Sequence, residues 1–378
     1  MIKIKYNCYI KHKIMESILI STSKFGTAIP DYFKYLGEEF NNNNFSVIFI
    51  FDGKVKNLPP NEKNKKYFTY PNKRPTRLKD FIFICKIIKQ EKPILCISNF
   101  GSTNIVTISS YVFRVPHRIN YLHTSPQQLQ IDSKRNLVYD WFLKQRKILI
   151  LKINTHVITN SSMMSDLITK SFKIKKNKIS ILPYLLEKSK NNWRPIDQRE
   201  FSICIVGRLS TSKGHKDLLY SFNECIKENP DLKLLIVGDG PEKKSLQELT
   251  KSLGQKDCVT FLGNIPNKDI GKIFSKCIAS VSASQSEAFG IVNIESLREG
   301  TPVICTNTEG SKDIIVNGKN GFNVDLTKKD DLSKKVALVL KNWEKHSKSA
   351  LQTFEKKYAR HNISFYYQTI INELKKII

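Results

Sequence analysis

From residue 17 onward, the hydrophobic positions of the chain alternate between two patterns. Short runs of β-branched and aromatic residues are separated by longer segments in which apolar residues recur with a helical period. This alternation is typical of a parallel sheet covered by helices. In the first half it predicts one α/β unit, with strands at residues 17–21, 45–51, 94–98, 118–122, 156–159 and 179–182.

A polar stretch without period, residues 187–200, is typical of a linker. The alternation then restarts and predicts a second doubly wound sheet, with strands at residues 201–206, 233–237, 259–262, 278–281, 302–305 and 321–325. The remainder is helical in pattern, and its last segment has enough apolar residues to pack back on the first unit. We therefore predict an N-terminal domain at 1–190, of which 1–14 match no element, a linker at 191–200, a C-terminal domain at 201–350 and a helical segment at 351–378.

The composition is that of a globular protein rather than a collagenous or disordered one, since 40% of the 378 residues are hydrophobic and 25% are charged. The eight cysteines form no Cys-x-x-Cys pair and fall mostly in apolar runs, so we expect reduced core residues. No apolar window approaches the roughly 20 residues of a spanning helix, and the start of the chain lacks a signal-peptide pattern. We expect a cytoplasmic location.

The charge is concentrated in the first half. Lys and Arg number 62 against 34 acidic residues, a net charge of +28, and residues 1–200 hold 35 of these cations and 14 of the acids. The densest basic runs lie at 54–79 and 170–178. Three explanations of this excess of cations compete. It reflects an AT-rich coding sequence, or it attracts an anionic membrane surface into which the apolar run 81–88 inserts shallowly, or it binds nucleic acid. We expect no nucleic-acid partner, because no recognised nucleic-acid module accompanies the charge.

Candidate chemistry follows the strands of the second sheet, because ligands of doubly wound folds bind at the carboxyl ends of the strands. After the first of these strands, Gly207 allows the backbone to turn, and Arg208 and Lys213 place two cations over the strand ends. A guanidinium binds phosphate oxygens through paired hydrogen bonds, and an ammonium adds a mobile point charge. This pair suits a diphosphate.

A second candidate is the segment 286–295, where Glu287 stands in a loop and Glu295 stands on the helix that follows. A helix N-terminus attracts phosphate, so the neighbouring Glu287 suits sugar hydroxyls and Glu295 suits a ribose diol. The alternative is that both are solvated surface acids. The strand ends at 237–242, 261–264 and 306–311 carry weaker signals, among them the Leu262 backbone, which is placed to contact a nucleobase edge.

In this order, the motifs resemble the retaining glycosyltransferases of family 4, the glycosyl transferases group 1. The resemblance implies an α/β fold of GT-B architecture, in which two Rossmann-like doubly wound domains face each other across a nucleotide-sugar cleft. It covers nearly the whole chain and is strongest over 201–325. The residues that carry it are Val206-Gly-Arg-Leu209, Lys213-Gly214, Val237-Gly-Asp-Gly-Pro241, Phe261-Leu-Gly263, the pair Glu287 and Glu295, and Asn317-Gly-Lys-Asn-Gly321.

The resemblance also implies roles for single residues. Arg208 and Lys213 would bind the donor diphosphate, Glu287 the donor sugar and Glu295 the ribose. The backbone amides of Phe289, Gly290 and Ile291 would receive the phosphates. In the first domain, Gly26 and Thr27 would approach the diphosphate, His123 would face the donor sugar, and Ser161 and Ser162 match a serine usual at that strand end.

Two departures from the family pattern lie in the first domain, on the acceptor side of the cleft. The N-terminal loop is Phe25-Gly-Thr27 in place of a Gly-Gly pair, and the strand ending Ile181-Leu-Pro-Tyr184 lacks the Asn-Gly that commonly follows it. Donor chemistry is unaffected by either change, whereas the nature of the acceptor is not determined by the pattern.

The function expected from the resemblance is transfer of a sugar from a nucleoside diphosphate sugar to a glycan or lipid-linked acceptor, in cell-envelope polysaccharide or lipopolysaccharide biosynthesis. We expect retention of configuration. No Asp-x-Asp pair lies at a strand end, so we expect no metal and no cofactor, with Glu287, His123, Arg208 and Lys213 as the catalytic set. His123 acts either as a base or as an orienting group. The alternatives are a non-catalytic GT-B scaffold or donor-binding subunit, and a nucleotide-sugar epimerase.

Overall fold

The computed structural model describes residues 15–53, 55, 57–123 and 137–375. Its first sheet has seven parallel strands in the order β3-β2-β1-β4-β5-β6-β7. The edge strand β3 was not predicted, because all its residues are partly exposed and its pattern is not apolar. The strands are β1 Ser17–Ser23, β2 Ser46–Asp52, β3 Lys65–Thr69, β4 Leu95–Ser98, β5 His117–Leu122, β6 His156–Thr159 and β7 Ile179–Ile181.

Helices cover both faces of this sheet, as strands apolar on both sides require. Residue Ile18 of β1 and its neighbours pack against α1, while Leu19 packs on the opposite face against α2 and α3. The helices are α1 Ala28–Asn42, α2 Leu78–Glu91, α3 Thr103–Val112, α4 Leu137–Ile153 and α5 Ser162–Phe172.

The second sheet has six parallel strands in the order β10-β9-β8-β11-β12-β13. The strands are β8 Glu200–Val206, β9 Lys233–Val237, β10 Val259–Gly263, β11 Cys277–Ser282, β12 Val303–Thr306 and β13 Gly321–Val324. Its helices are α6 His215–Glu228, α7 Lys243–Ser252, α8 Asn267–Phe274, α9 Ile291–Arg298, α10 Ser311–Ile314 and α11 Asp331–Lys341. In both sheets the strand order reverses beside the first strand, which is where doubly wound folds form a ligand crevice.

The last two helices, α12 Trp343–Lys357 and α13 Ile363–Lys375, cross back to the N-terminal domain. Residue Tyr367 of α13 stacks edge-on against Phe40 of α1, with ring centroids 5.0 Å apart. One cluster of buried apolar side chains contains residues of both sheets and of α12 and α13. The two domains therefore share a core.

The two facing α/β domains confirm the predicted fold class. Of the run 81–88, for which shallow insertion was one of the open alternatives, Ile84, Ile87 and Ile88 are buried against the sheet and so are not available for insertion, whereas Ile82 is exposed. Seven cysteines are described, all of them free and six buried, and Cys8 lies outside the described residues. Residues 1–14, Lys54, Lys56, 124–136 and 376–378 also lie outside them. Across the described ranges, no helix has both the length and the apolar character needed to span a bilayer.

Candidate functional site

The carboxyl ends of both sheets border a cavity of about 590 Å³ between the domains. The N-terminal domain contributes the loop after β1, including Thr27, and the ring of Phe100. From the C-terminal domain come Gly207, Arg208, Ile291 and Glu295 among others. The topology therefore gathers at one place residues that are more than 80 positions apart along the chain.

The turn after β8 is held by close backbone contacts to the turn after β9. The Gly207 amide donates to the Val237 carbonyl at 2.9 Å. At Gly238, whose φ is +135°, a Cβ would lie 1.9 Å from the Gly207 oxygen, so no side chain fits there. A Cβ on Gly207 would meet only the methylenes of Lys213, at 4.0 Å, so that glycine leaves open space beside the cavity.

The two predicted phosphate-binding cations differ in their surroundings. Arg208 is exposed on the cavity wall, and no described residue forms an ion pair with it. Lys213 instead makes an ion pair with Glu287, and about a fifth of each side chain is exposed. The structure thus joins the residue expected to bind phosphate to the residue expected to bind sugar, and the two charges neutralise each other.

The N-terminus of α9 points its amides toward the cavity from a turn at Gly290, where φ is +88°. Ile291 lines the cavity, whereas the Phe289 ring is buried and packs edge-on against Tyr184 at 5.4 Å. The Asn293 side-chain amide is buried near Gly290 with no partner among the described residues. Phe289 therefore anchors the turn through its ring and leaves only backbone groups for a ligand.

Glu295 lies one turn into α9 and lines the cavity, although only 9% of the residue is exposed. No hydrogen-bond donor among the described residues reaches its carboxylate. Burial raises the pKa of Glu295 to about 7, partly offset by Arg298. A buried carboxylate of this kind gains from a ligand hydroxyl that donates to it.

His123 occupies an apolar stack rather than the cavity wall. Its ring lies 4.6 Å from that of Phe100 and 5.4 Å from that of Tyr184, both nearly parallel to it. Both ring nitrogens are buried and unpartnered within the described part of the chain. Burial, with a further contribution from Lys147, lowers the pKa of His123 to about 3. An imidazole with so low a pKa binds a proton only weakly near pH 7, which favours an orienting role over that of a general base.

Gly26 and Thr27 stand at the start of α1, with the Gly26 amide donating to Asp31 at 2.8 Å. Both line a second groove of about 620 Å³ that continues from the cavity past Glu295. Leu262 is 38% exposed and lines neither cavity. Its neighbours Asn264 and Ile265 line the first one instead.

Two serines at the start of α5 tie the domains together. The Ser161 hydroxyl donates to the Ala288 carbonyl at 3.0 Å and accepts from the Met164 amide, which caps α5. The Ser162 amide and hydroxyl both donate to the Asp313 carboxylate, each at 2.6 Å. The loop that carries Glu287 is therefore held against the N-terminal domain.

Sequence reasoning missed Phe100, Tyr184 and Asp313. Phe100 lies two residues after the end of β4 and has a left-handed backbone with φ +50°, so its place after a strand was a usable signal. Asp313 gave no signal, because its partner Ser162 is 151 residues away.

Known proteins with the same organisation were found by sequence and by structure. Residues 187–355 match the family model described as "Glycosyl transferases group 1". An uncharacterized glycosyltransferase of Methanocaldococcus jannaschii is 28% identical over 68% of this chain and 65% of the relative. The capsular polysaccharide biosynthesis glycosyltransferase CapM of Staphylococcus aureus is 25% identical over 66% of this chain and 67% of its own. The structure of Anabaena HepE in complex with UDP and glucose has a TM-score of 0.71 at 16% identity, covering 94% of this chain and 99% of that one.

These comparisons confirm the resemblance to glycosyl transferases group 1 and the GT-B architecture of two facing Rossmann-like domains. The chain spans about half to two thirds of the length of the curated relatives it matches. The likeness to solved structures, at 16% identity, establishes the fold.

Proposed function

Since residues 187–355 belong to the glycosyl transferases group 1, we propose that this protein is a glycosyltransferase that uses a nucleoside diphosphate sugar as donor. The observation that carries the proposal is the cavity between the domains, which places Arg208, the α9 N-terminus and Glu295 around one space. Each group suits a different part of the donor: a cation and helix amides suit the diphosphate, and a buried carboxylate suits the ribose.

Glu287 supports the same assignment through its pairing with Lys213. When no anion is bound, the Glu287 carboxylate neutralises the Lys213 ammonium, and both side chains are largely buried. A donor diphosphate would compete for Lys213 and release Glu287 to accept hydrogen bonds from sugar hydroxyls. The ion pair would therefore open when the donor binds.

We propose that transfer retains the anomeric configuration and needs neither metal nor cofactor. The bond from the anomeric carbon to the diphosphate oxygen breaks, the bond to the acceptor oxygen forms on the same face, and the acceptor proton passes to the departing phosphate. Arg208, Lys213 and the α9 amides would stabilise the charge on the leaving group, each contributing a few kcal/mol to lowering the barrier, roughly as oxyanion-hole donors do.

We also propose an acceptor in the cell envelope, a glycan or lipid-linked glycan in polysaccharide or lipopolysaccharide biosynthesis. The name of CapM, with its role in capsular polysaccharide biosynthesis, supports this class. The protein would act in the cytoplasm or at the inner face of the cytoplasmic membrane. The competing proposal is a donor-binding scaffold without transfer, which the Lys213–Glu287 pair fits equally well until a donor is supplied.

The test is calorimetric titration with UDP, GDP and ADP, each with and without a chelator. We expect one nucleotide to bind in both conditions and binding to weaken at least about tenfold in Arg208→Ala, since a paired guanidinium–phosphate contact is lost. The control is Lys216→Ala, an exposed cation on the same domain outside the cavity. Absence of binding by all three nucleotides would refute the donor site, and binding abolished by the chelator would refute metal independence.

Transfer is then separated from mere binding by Glu287→Ala. Release of nucleoside diphosphate from the corresponding sugar donor is followed in the presence of a membrane extract as the source of acceptors. An enzyme should lose release while keeping its thermal unfolding temperature. A wild-type protein that binds the nucleotide but releases none above background would instead be a scaffold.

A further inference from the structure

Helices α2, α3 and α4 lie on one face of the N-terminal sheet, which α5 also covers, and the outer sides of these three helices are called here the α2–α4 layer. Leu19 and Cys96 lie under α2 and α3, and Leu122 and Val157 lie under α4. The strand register places these side chains on the same face, opposite the face that α1 covers. The sides of α2, α3 and α4 that face away from the sheet therefore belong to the surface of the part of the chain that the structure describes.

The outer side of this layer is unusually apolar. Among the described residues, 21 large hydrophobic side chains are exposed, and 11 of them lie on the three helices or directly after α3. In the C-terminal domain such side chains are scattered singly, which is ordinary for a soluble protein. On the layer they are Leu78, Ile82, Ile108, Tyr111, Val112, Phe113, Val138, Tyr139, Trp141, Phe142 and Leu149.

Aromatic residues are concentrated at the N-terminal end of α4. Trp141 and Phe142 are 55% and 60% exposed, and their rings meet edge-on at 5.0 Å. Val138, Phe142 and Leu149 are spaced by four and seven residues, so they share one stripe of the helix. Phenyl and indole groups on an exposed stripe are typical of helices that lie in a membrane interface.

The exposed charged side chains of α2, α3 and α4 are all cations. Six cations on the three helices are exposed, whereas no carboxylate on them is: Asp80 is buried, Asp140 is partly buried, and Glu91 is partly buried and paired with Lys66. The exposed cations are Lys79, Lys86, Lys89, Lys144, Arg146 and Lys152. The α2–α4 layer, with its exposed cations and apolar side chains, is therefore complementary to a surface that presents anionic groups next to an apolar interior.

We propose that the α2–α4 layer docks on an anionic lipid bilayer, with Trp141 and Phe142 inserted among the headgroups and the cations at the lipid phosphates. Each Lys or Arg near such a surface adds to the attraction, and the aromatic side chains add apolar burial. A second copy of this chain is disfavoured as the occupant, because two cationic layers would face each other.

The orientation of α4 connects this surface to the cleft. The C-terminal end of α4 lies at the amino edge of the sheet, where the Arg118 side chain donates to the Ile153 carbonyl at 3.0 Å. The helix has 17 residues and is about 25 Å long, so Trp141 lies near the carboxyl edge, which borders the cleft. Resting on the proposed function, this places the bilayer where a lipid-linked acceptor would enter.

The test is co-sedimentation of the full chain with vesicles of phosphatidylcholine containing 30% phosphatidylglycerol, and with vesicles of phosphatidylcholine alone, at about 0.1 M and 0.5 M salt. We expect binding only to the anionic vesicles and weaker binding at high salt. Trp141→Ser/Phe142→Ser should lower the vesicle affinity at least about tenfold, and Lys144→Glu/Arg146→Glu should do the same. The matched control is Phe365→Ser, an aromatic residue that is 68% exposed on α13.

Equal loss in Phe365→Ser, equal binding to both vesicle types, or no binding would overturn the proposal. A concentration-dependent dimer that is abolished by Trp141→Ser/Phe142→Ser would overturn it in favour of a second copy. Each variant is also titrated with the nucleotide of the donor test. Retained nucleotide binding shows that the variant is folded, so a loss of vesicle binding then reports on the α2–α4 layer alone. If the wild type binds vesicles but no nucleotide, the proposed donor site fails while the docking proposal stands.

Discussion

At the residue scale, the charged side chains near the cleft are of two kinds, those that form an ion pair and those that do not. Lys213 and Glu287 neutralise one another, while Arg208 and Glu295 line the cavity without an ion pair or a hydrogen bond to their side chains among the described residues. The unpaired groups are the ones on which a ligand has the largest effect, because they give up no protein contact when they bind it. Glu295 is also the one whose protonation changes near neutral pH.

The Glu295 carboxyl should make stability depend on pH. Its folded pKa of about 7 lies above the ordinary value of 4.5, so the folded state keeps a proton that the unfolded chain loses. The contribution of this carboxyl to the free energy of unfolding is constant below pH 4.5. It falls by an amount on the order of 3 kcal/mol as the pH rises to 7, and it is constant again above pH 7. Glu295→Gln should therefore gain in unfolding temperature over the wild type across pH 4.5–7.

Thermal unfolding of both proteins across this range checks the prediction, with Glu344→Gln, an exposed acid on α12, as the control. A constant difference between Glu295→Gln and the wild type would contradict it. If Glu295 holds the ribose as a carboxylate, nucleotide affinity should also fall as the pH drops below 7, and this dependence should vanish in the variant.

At the element scale, the start of α5 joins the two domains. A carboxylate at a helix N-terminus is favoured both by the helix dipole and by hydrogen bonds from free amides. Here the carboxylate is Asp313, which belongs to α10 of the other domain. The loop that carries Glu287 and Ala288 lies between α5 and α10, so this contact holds that loop in place as well as the domain orientation.

Asp313→Ala should lower the free energy of unfolding by about 1–2 kcal/mol, because a charged group that accepts two hydrogen bonds is removed. The nucleotide affinity should fall several-fold as well, since the Glu287 loop loses its support. Thermal unfolding and calorimetric titration measure the two effects. The control is Asp166→Ala, which removes a carboxylate that is 56% exposed on α5, the helix that Asp313 contacts. It should change neither the free energy of unfolding nor the nucleotide affinity. An Asp313 variant with wild-type affinity would show that the contact is only structural.

At the scale of the whole molecule, the C-terminal helices hold the two domains in one cooperative unit. Arg360, between α12 and α13, donates to Glu38 of α1 at 2.8 Å and also pairs with Glu187 before the linker. Its guanidinium lies 4.5 Å from the centre of the Tyr35 ring. Because α12 and α13 pack against the first domain, each domain has a share in the stability of the other.

Ile370→Ala should destabilise the entire protein by about 2–5 kcal/mol and keep a single unfolding transition. Ile370 is 1% exposed and lies in the core shared by both domains. Calorimetric unfolding measures the effect, and Phe365→Ala, on the exposed side of the same helix, should change stability by no more than about 0.5 kcal/mol. Two separate transitions in the Ile370 variant would show that the domains are independent.

The sequence by itself determined the two alternating units and the place of several candidate ligand-binding residues. Parallel strands put their carboxyl ends at one edge, so any motif that follows a strand lies at the crevice. This rule located Gly207, Arg208 and Glu295 correctly at the cavity. It missed β3, whose residues are half-exposed at the sheet edge and lack an apolar period.

Only the tertiary structure decided which side chains from distant segments meet. The stacking of His123 between Phe100 and Tyr184, the pairing of Lys213 with Glu287 and the contact of Asp313 with Ser162 join positions between 23 and 151 residues apart. Local periodicity specifies which face of an element is buried but not what covers it. For the same reason, the sequence left open a membrane insertion of the run 81–88 of α2, whereas packing buries Ile84, Ile87 and Ile88 of that run and leaves apolar side chains exposed on the outer faces of α2, α3 and α4.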